Sequence, residues 1–333
     1  KARVIIVGAG AAAAAAAFQL SRMGVVPLLL DVGRAADAGA RAEGNLYEWR
    51  ERNDSFDLHI GRDFAGVHDA LTGESGVAKL NAPNSRYVVR DADRLSPVDA
   101  THFDPIQSFA LGGLGNAWGA GLYRFVDADL AGFPIRAADL DPYADALTRE
   151  IGIGGAGDDL APYFGAADGL LPPLRLSRNA GQVYEAYKHK RQGLRDAGIV
   201  MGRPRVAALS RPHDGRGACD YSNTEFWQDQ PYLYTPAMTL RKLIAAGQID
   251  YRPGWLVESY TEDAGGVTVG ARAADGNAAQ TFAGETLLLA AGAIGTTKIV
   301  LRSAGDAATR LRLLENPAVQ IPFVIPTAIG RRL

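Results

Sequence analysis

The chain has 333 residues, of which 47% are apolar, and a formal net charge of −2. This length favours about two domains with buried cores, and the near-neutral charge argues against non-specific binding to nucleic acid, which requires a basic face. Cys219 is the single cysteine, which excludes an internal disulfide, a CxxC redox pair and a multi-cysteine metal site.

The most apolar stretch, residues 4–30, is interrupted by Arg22, Pro27 and several other residues. No uninterrupted apolar run of 18 residues is present, so we expect no membrane span. Glycines within the stretch also argue against a secretory signal peptide. We expect a cytoplasmic protein, with a removed targeting segment before Lys1 as the open alternative.

The first predicted elements form a strand–helix–strand unit. Arg3–Val7 is short and β-branched, which predicts a buried strand. Ala11–Met23 predicts a helix, because alanine is the strongest helix former, and Gly24 suits its C′ position. Val25–Leu30 predicts the next strand. Together they make a βαβ unit of about 30 residues.

The turn of this unit has the pattern of a dinucleotide site. Gly8 allows a tight bend, Gly10 lets a pyrophosphate approach the backbone, and Ala13 is small enough for helix–strand packing. The start of the helix offers free N–H groups to phosphates. Asp31, at the end of the second strand, can accept hydrogen bonds from ribose hydroxyls. The alternative is an ordinary βαβ crossover with an alanine-rich helix.

The central part of the chain is less regular. Residues 36–100 are polar with few clear periodicities. Residues 139–151 predict a helix with Asp141 as its N-cap and Pro142 in its first turn. Residues 176–197 predict an amphipathic helix, and a third helix begins at Thr235-Pro236 and extends to about Ala246.

The last third changes to β-like runs, which cover residues 249–260, 266–274 and 280–290 and are separated by turn sequences. The final run passes through small residues, AAGAIGTT, into a helix. Another segment, residues 110–125, lies between the irregular stretch 36–100 and the helix predicted at 139–151. Its sequence is ALGGLGNAWGAGLYRF, and its glycines free the backbone to approach a flat ligand. Asn116 and Trp118 offer a hydrogen-bonding group and an aromatic wall. A purely structural glycine loop is the alternative.

Taken in order, these stretches resemble the glucose–methanol–choline (GMC) flavoprotein oxidoreductases, in particular bacterial members linked to sugar or polysaccharide oxidation. The matching segments are VIIVGAGAAAAAAAF with Asp31-Val32-Gly33, GGLGNAWGAGLYRF, YTPAMTL and LLLAAGAIGTTKIVLRSAG. The resemblance implies an α/β fold: an FAD-binding Rossmann-like domain with a β-meander excursion, and a smaller α+β substrate domain. The implied FAD domain comprises residues 1–35, 101–150 and 235–308. The substrate domain comprises 151–234 and 309–333, and 36–100 form an irregular excursion.

The resemblance also implies the residues that contact FAD. Gly8, Gly10, Ala12 and Ala13 are implied to contact the pyrophosphate, and Asp31 the ribose. The residues implied along the pyrophosphate and isoalloxazine are Gly112, Gly113, Gly115, Asn116 and Trp118. Val257 is implied to contact the adenine through its backbone, and Ala291 and Gly292 to close over the adenosine side. Some relatives attach FAD through a histidine that corresponds to Ala117. Alanine offers no nucleophile, so we expect non-covalent FAD, with His102 as a remote second candidate for attachment.

The implied reaction is oxidation of a CH–OH group, which we expect on a sugar or glycoside. It needs a base for the hydroxyl proton while hydride passes to flavin N5. In the family this base is a histidine near the C-terminus, and none of the five histidines here lies in a matching context. We therefore name no catalytic residue, and expect missing C-terminal sequence or a second polypeptide that carries it.

Two other hypotheses about function are open. The chain could be an FAD-binding subunit without catalysis of its own, which needs a partner for turnover. It could instead be a nicotinamide-dependent dehydrogenase, which leaves the glycine loop unexplained and needs a Tyr-x-x-x-Lys pair. Only Tyr184 and Lys188 in the segment around residue 186 fit that spacing, on a helix far in sequence from the first βαβ unit.

Overall fold

The computed structural model describes residues 2–36, 80, 85–99, 105–221 and 231–312. These residues form two compact units. Unit 1 contains the described residues of 1–119 and 235–309 together with Tyr221, and unit 2 contains those of 120–220, 231–234 and 310–312.

The regular elements of the described residues follow in chain order: β1 (Ala2–Val7), α1 (Ala11–Arg22), β2 (Leu28–Leu30), α2 (Ala92–Leu95), α3 (Ala137–Ile151), α4 (Ala161–Phe164), α5 (Arg178–Asp196), α6 (Pro236–Ala245), β3 (Asp250–Arg252), β4 (Trp255–Asp263), β5 (Gly266–Ala273), β6 (Ala279–Leu289) and α7 (Gly292–Ser303). Two 3₁₀ turns cover Arg86–Val88 and Gly113–Asn116.

Unit 1 is built on one six-stranded sheet with the order β3-β2-β1-β6-β5-β4. β1 pairs in parallel with both β2 and β6, and β2 pairs in parallel with β3. β4, β5 and β6 form an antiparallel meander. Parallel strands joined through a helix, with a meander returning to the central strand, confirm the predicted α/β, Rossmann-like class.

The alternation of β1 side chains divides the core of unit 1 into two clusters. Val4 and Ile6 pack with buried residues of α1 and α6, where Ala13, Ala14 and Ala17 give α1 its small buried face. Ile5 and Val7 pack on the other side with residues of β4, β5 and α7. The alanine run thus lets α1 lie close to the sheet, as its composition predicted.

Two details of the predicted strands are wrong. The run 249–260 is not one strand, because Pro253-Gly254 separates β3 from β4, which lie at opposite edges of the sheet. Proline cannot donate to a strand ladder, so pairing stops there. β2 begins at Leu28 rather than Val25, since Pro27 precedes it and likewise lacks an N–H.

The predicted start of α3 is also wrong. The helix begins at Ala137 with Arg136 as N-cap, so Asp141 and Pro142 lie inside it. Two carboxylates accept from N–H groups at its start: Asp139, in the first turn, accepts from the Arg136 N–H at 2.9 Å, and Asp127, upstream of the helix, accepts from the Ala137 N–H at 2.8 Å. The other predicted helices agree closely with α5, α6 and α7.

Unit 2 has three helices among its described residues and short β-bridges in place of a sheet. The bridges pair Gly121 and Gly154 with Val206, Gly154 with Leu171, and Ala208 with Leu233. Residues 120–150 belong to this unit, whereas the sequence division assigned them to the FAD domain. Residues 120–122 pair with residues 205–207 of this unit. The Leu122 N–H donates to the Arg205 carbonyl at 3.0 Å, and the Ala207 N–H donates to the Ala120 carbonyl at 2.8 Å.

Among the described helices, none is both long enough and apolar enough to cross a lipid bilayer.

Candidate cofactor site

The carboxyl ends of β1, β2 and β6 meet at Gly8. The Gly8 N–H donates to the Leu30 carbonyl at 2.8 Å, and the Ala290 N–H donates to the Val7 carbonyl at 2.8 Å. Gly8 has φ +96°, and a Cβ built there would lie 2.5 Å from the Ala290 carbonyl oxygen. Both the dihedral and the contact therefore require glycine. Ligands of open α/β sheets bind at this edge.

The N-terminus of α1 faces open space. Gly10 is the extended N-cap, and the Ala14 N–H donates to its carbonyl at 3.0 Å. A Cβ built on Gly10 would meet no atom within 4 Å. Ala12 is exposed, whereas Ala13 is buried against the sheet. The first N–H groups of a helix have no intrahelical partner and carry its positive dipole end, so they suit an anion in that space.

The glycine segment lies directly beside this turn. The Gly112 N–H donates to the Ala9 carbonyl at 2.7 Å, and a Cβ on Gly113 would lie 3.1 Å from the Gly10 Cα. Asn116 is buried and donates from Nδ2 to the Leu111 carbonyl at 2.8 Å. Its amide packs so closely on Gly112, whose φ is +102°, that any side chain there would collide with it.

The same segment is fixed to α6 at its other end. A Cβ on Gly115 would lie 2.6 Å from the ring of Pro236, the first residue of α6. Gly115 therefore lets the two segments approach closely. Trp118, two residues beyond the 3₁₀ turn, is half-buried.

Asp31 lies at the carboxyl end of β2 and is buried. Its Oδ2 accepts the Gly33 N–H at 2.9 Å. Burial raises the pKa of this carboxyl to about 8, against the lowering effect of hydrogen bonds from the Gly33 and Val32 backbone. An acid in this setting suits neutral hydrogen-bond partners such as hydroxyls.

The Asp31 end of β2 is also tied to the glycine segment. The Arg34 N–H donates to the Phe109 carbonyl at 2.8 Å, and the Leu111 N–H donates to the Arg34 carbonyl at 3.2 Å. The guanidinium of Arg34 pairs with Asp91 at 2.9 Å. Sequence reasoning missed Arg34, and nothing local could have found it, because Asp91 is distant in the chain.

The adenosine-side predictions divide. Ala291 is the N-cap of α7, and Gly292 is exposed, with open space around a Cβ built on it. The side chain of Val257 is buried in the core cluster of β4, β5 and α7, which leaves its backbone for the predicted adenine contact. Only the start of its strand reaches Asp31, where the Trp255 N–H donates to the Asp31 carbonyl at 3.0 Å.

The residues present fit a dinucleotide such as FAD. Unoccupied volume lies in front of Gly10, the α1 N-terminus supplies donors, and the Asp31 carboxyl stands at the neighbouring strand end. The structure thus gathers the predicted residues of segments 8–13, 31, 112–116 and 291–292 around one sheet edge, with Val257 set back in the core. Among the described residues, no group of three His, Cys, Asp or Glu side chains is arranged for a metal ion.

The remaining candidates lie elsewhere. His189 is exposed on α5, and His213 Nε2 lies 2.7 Å from the Arg149 carbonyl, both in unit 2. The ammonium of Lys188 lies 5.6 Å from the Tyr184 ring centroid, also in unit 2, apart from the β1–α1–β2 turn in unit 1. The prediction on His102 falls outside the described residues, as do the two other histidines, His59 and His68.

No family model and no curated protein matches the chain. Solved structures similar to it include pyridoxine 4-oxidase from Mesorbium loti, at 15% identity and TM-score 0.45 over 91% of this chain and 52% of that one. Formate oxidase from Aspergillus oryzae RIB40, described in connection with FAD modification, gives 13% identity and TM-score 0.42 over 90% and 47%. BexE, from BE-7585A biosynthesis, gives 16% and 0.29 over 95% and 38%.

This chain therefore spans about half, or less, of the length of these proteins. A likeness at such identities and TM-scores supports neither an activity nor a substrate for this chain. The fold class follows from its own strand order and pairing.

Proposed function

We propose that the chain binds FAD non-covalently as part of a GMC-type oxidoreductase that oxidises a CH–OH group, on a sugar or glycoside. The observation that carries the proposal is the open volume in front of Gly10, bordered by the α1 N-terminus and the glycine segment 112–116. The sequence resemblance adds the order of these segments along the chain.

Each segment has a role in this proposal. The N–H groups at the start of α1 bind the pyrophosphate, and Gly10 admits it because no side chain fills the volume. The Asp31 carboxyl accepts a hydrogen bond from a ribose hydroxyl. The 112–118 segment orients the flavin side and excludes water. FAD, when bound, supplies the hydride acceptor.

The catalytic base is proposed to come from sequence beyond this chain or from a second polypeptide. Support comes from the chain's histidines: none lies in the context that the resemblance requires, and His213 already contacts a backbone carbonyl. The companion proposal, an FAD-binding half-enzyme, predicts flavin reduction only after the second polypeptide is added. Anaerobic bleaching at 450 nm with a panel of sugars and simple alcohols is measured for a C-terminally extended chain and for this chain with the second polypeptide. Bleaching of the extended chain alone supports a base in the same polypeptide, and bleaching only with the second polypeptide supports the half-enzyme.

The first test is the absorption spectrum before and after acid precipitation. For non-covalent FAD we expect flavin absorption bands at about 375 and 450 nm that move to the supernatant. Bands that stay with the pellet would contradict the non-covalent proposal, and a protein that takes up no added FAD would refute the function itself.

The second test is Gly10→Ala, matched by Gly276→Ala. Both positions are open, so both variants should fold. Gly276→Ala should keep the free energy of unfolding within about 0.5 kcal/mol of the parent, whereas Gly10→Ala should lose about 1 kcal/mol because alanine is a poorer N-cap than glycine. Only Gly10→Ala places a methyl group in the proposed pyrophosphate volume. Its dissociation constant for FAD, measured by flavin fluorescence, should rise at least about tenfold, which corresponds to about 1.4 kcal/mol. Equal affinities in the two variants would move the cofactor elsewhere.

A further inference from the structure

Lys298 connects two segments of unit 1 that are far apart in sequence. It lies in α7, the helix that begins beside Gly8 at Ala291-Gly292. Its ammonium donates to Ser96 Oγ at 2.7 Å and to the Pro97 carbonyl at 2.7 Å. α7 is thereby fixed to the chain just after α2.

The contact continues from Ser96 to Gln107. Ser96 Oγ donates to Gln107 Oε1 at 3.2 Å, and Gln107 Nε2 donates back to the Ser96 carbonyl at 2.7 Å. Gln107 is buried. Its amide therefore has both its oxygen and its nitrogen paired with one serine, an arrangement that fixes its orientation.

Gln107 stands at the entry to the glycine segment. Two residues later Phe109 pairs with Arg34, and the chain then reaches Gly112, whose N–H binds the Ala9 carbonyl. The opposite end of the contact chain is α7, whose first residues stand against Gly8. One run of hydrogen bonds thus links two borders of the candidate cofactor site.

The Ser96 region has independent anchors. Leu95 is buried with Val32 and Ala274, and its carbonyl accepts from Arg272 at 2.7 Å. These anchors hold the α2 end against the sheet without Lys298. Loss of Lys298 should therefore remove the link from α7 to Ser96, and loosen Gln107 through Ser96, without unfolding unit 1.

The ammonium is held by uncharged partners. Its two acceptors are a hydroxyl and a carbonyl, and burial together with the nearby Arg302 lowers the pKa of Lys298. An ordinary surface lysine would instead pair with a carboxylate or point into water. Hydrogen bonds from a charged donor are about twice as strong as neutral ones, so this contact can maintain a fixed spacing.

We propose that Lys298, Ser96 and Gln107 form a clamp that sets the glycine segment at the spacing FAD requires, with Lys298 as a positioning residue that does not itself touch the cofactor. This inference rests on the proposed FAD function. It assigns the role to three residues that the family motifs leave out.

The test compares Lys298→Met, Lys298→Arg and Ser96→Ala with Arg302→Met in the full chain. Arg302 lies on the same helix, is half exposed and pairs with Glu258 at 3.3 Å, so its loss removes a cation but none of the hydrogen bonds of Lys298, Ser96 and Gln107. Lys298→Met should raise the FAD dissociation constant about tenfold. Lys298→Arg should recover most of the affinity, and Arg302→Met should leave it within about twofold.

Hydrogen exchange of the FAD-free protein gives a readout that separates the clamp from general stability. In Lys298→Met the amides of residues 107–113 should exchange at least about tenfold faster, while those of β1 and α1 keep the parent rate. In Ser96→Ala the amides of residues 107–113 should also exchange faster. In the double variant Lys298→Met/Ser96→Ala they should exchange no faster than in either single variant. Ser96→Ala also keeps the test open should Lys298→Met fail to fold.

Parent-like FAD affinity and parent-like exchange in both clamp variants would overturn the inference. Uniformly faster exchange throughout unit 1 would also overturn it, because Lys298 would then be a general stabilising residue. A parent protein that binds no FAD would refute the proposed function, whereas the exchange rates at 107–113 would still report on the clamp itself.

Discussion

Unit 1 and unit 2 differ in what lies at their centres. In unit 1, apolar strands are covered on both faces, and the largest buried side chains are Ile5, Ile6, Leu29 and Leu30 with their neighbours. In unit 2, Arg205 is 2% exposed, and among the described residues its side-chain hydrogen bonds go to backbone carbonyls and not to a carboxylate. It donates to the carbonyls of Phe164, Gly165 and Ala166 at 2.5 to 2.8 Å.

This difference shows two ways to hold backbone in place. Unit 1 satisfies its backbone groups within a ladder, so its stability should depend on close packing at the strand ends. Unit 2 has isolated bridges, so a side chain supplies donors that a ladder would otherwise provide. Substitutions should therefore damage unit 1 by steric conflict and unit 2 by loss of hydrogen bonds.

The largest effect is expected for Gly8→Ala in unit 1. The methyl group would meet the Ala290 carbonyl oxygen at 2.5 Å, and the positive φ adds strain. We expect a loss of about 3 kcal/mol or more in the free energy of unfolding, measured by chemical denaturation. Gly24→Ala is the matched control, because it has a positive φ but open space, and should cost about 1 kcal/mol. Equal costs would mean that close packing at this turn is unimportant.

In unit 2, Arg205→Met should cost about 2 to 3 kcal/mol, because the carbonyls of Phe164, Gly165 and Ala166 lose their hydrogen bonds from the guanidinium while the methionine keeps most of the apolar volume. Arg195→Met is the comparison within the same unit, since Arg195 is half exposed and only the outer partner of Asp159 at 3.4 Å. It should change stability by less than about 0.5 kcal/mol. Urea titration followed by intrinsic fluorescence measures both, and a neutral Arg205→Met would remove the proposed contrast between the units.

Asp31→Asn should change how the free energy of unfolding depends on pH. The pKa of Asp31 is raised from 3.8 to about 8 by burial. Between these values the folded protein keeps a proton that the unfolded chain releases, so stability decreases as the pH rises. The slope from this one group is at most about 1.4 kcal/mol per pH unit. Asp31→Asn should remove this slope. The melting temperatures of parent and variant are compared from pH 5 to pH 8, and the same pH dependence in both proteins would contradict the assignment.

The elements of unit 1 could be predicted because local patterns determine them. β-branched runs, the alanine helix and the Gly8-x-Gly10 turn each follow from neighbouring residues, and the site edge follows from strand order. The split of 249–260 was missed because alternation alone does not show that two halves of a run pair at different edges.

Long-range polar contacts could not be predicted. Lys298 and Ser96, or Arg34 and Asp91, meet only through the tertiary fold, and nothing near them in sequence marks the pairing. The same holds for Arg205, whose partners are backbone carbonyls on a distant loop.

The strand order has a consequence for synthesis on the ribosome. β2 ends at Leu30 and pairs with β3, which begins at Asp250, and β1 pairs with the still later β6. At about 5–20 residues per second, translation takes roughly 10 to 45 s to proceed from the end of β2 to the start of β3. During that interval the nascent β1–α1–β2 segment has two apolar strands whose outer edges lack their neighbours. Such a segment is a natural client for chaperones that shield nascent chains until the last third has emerged.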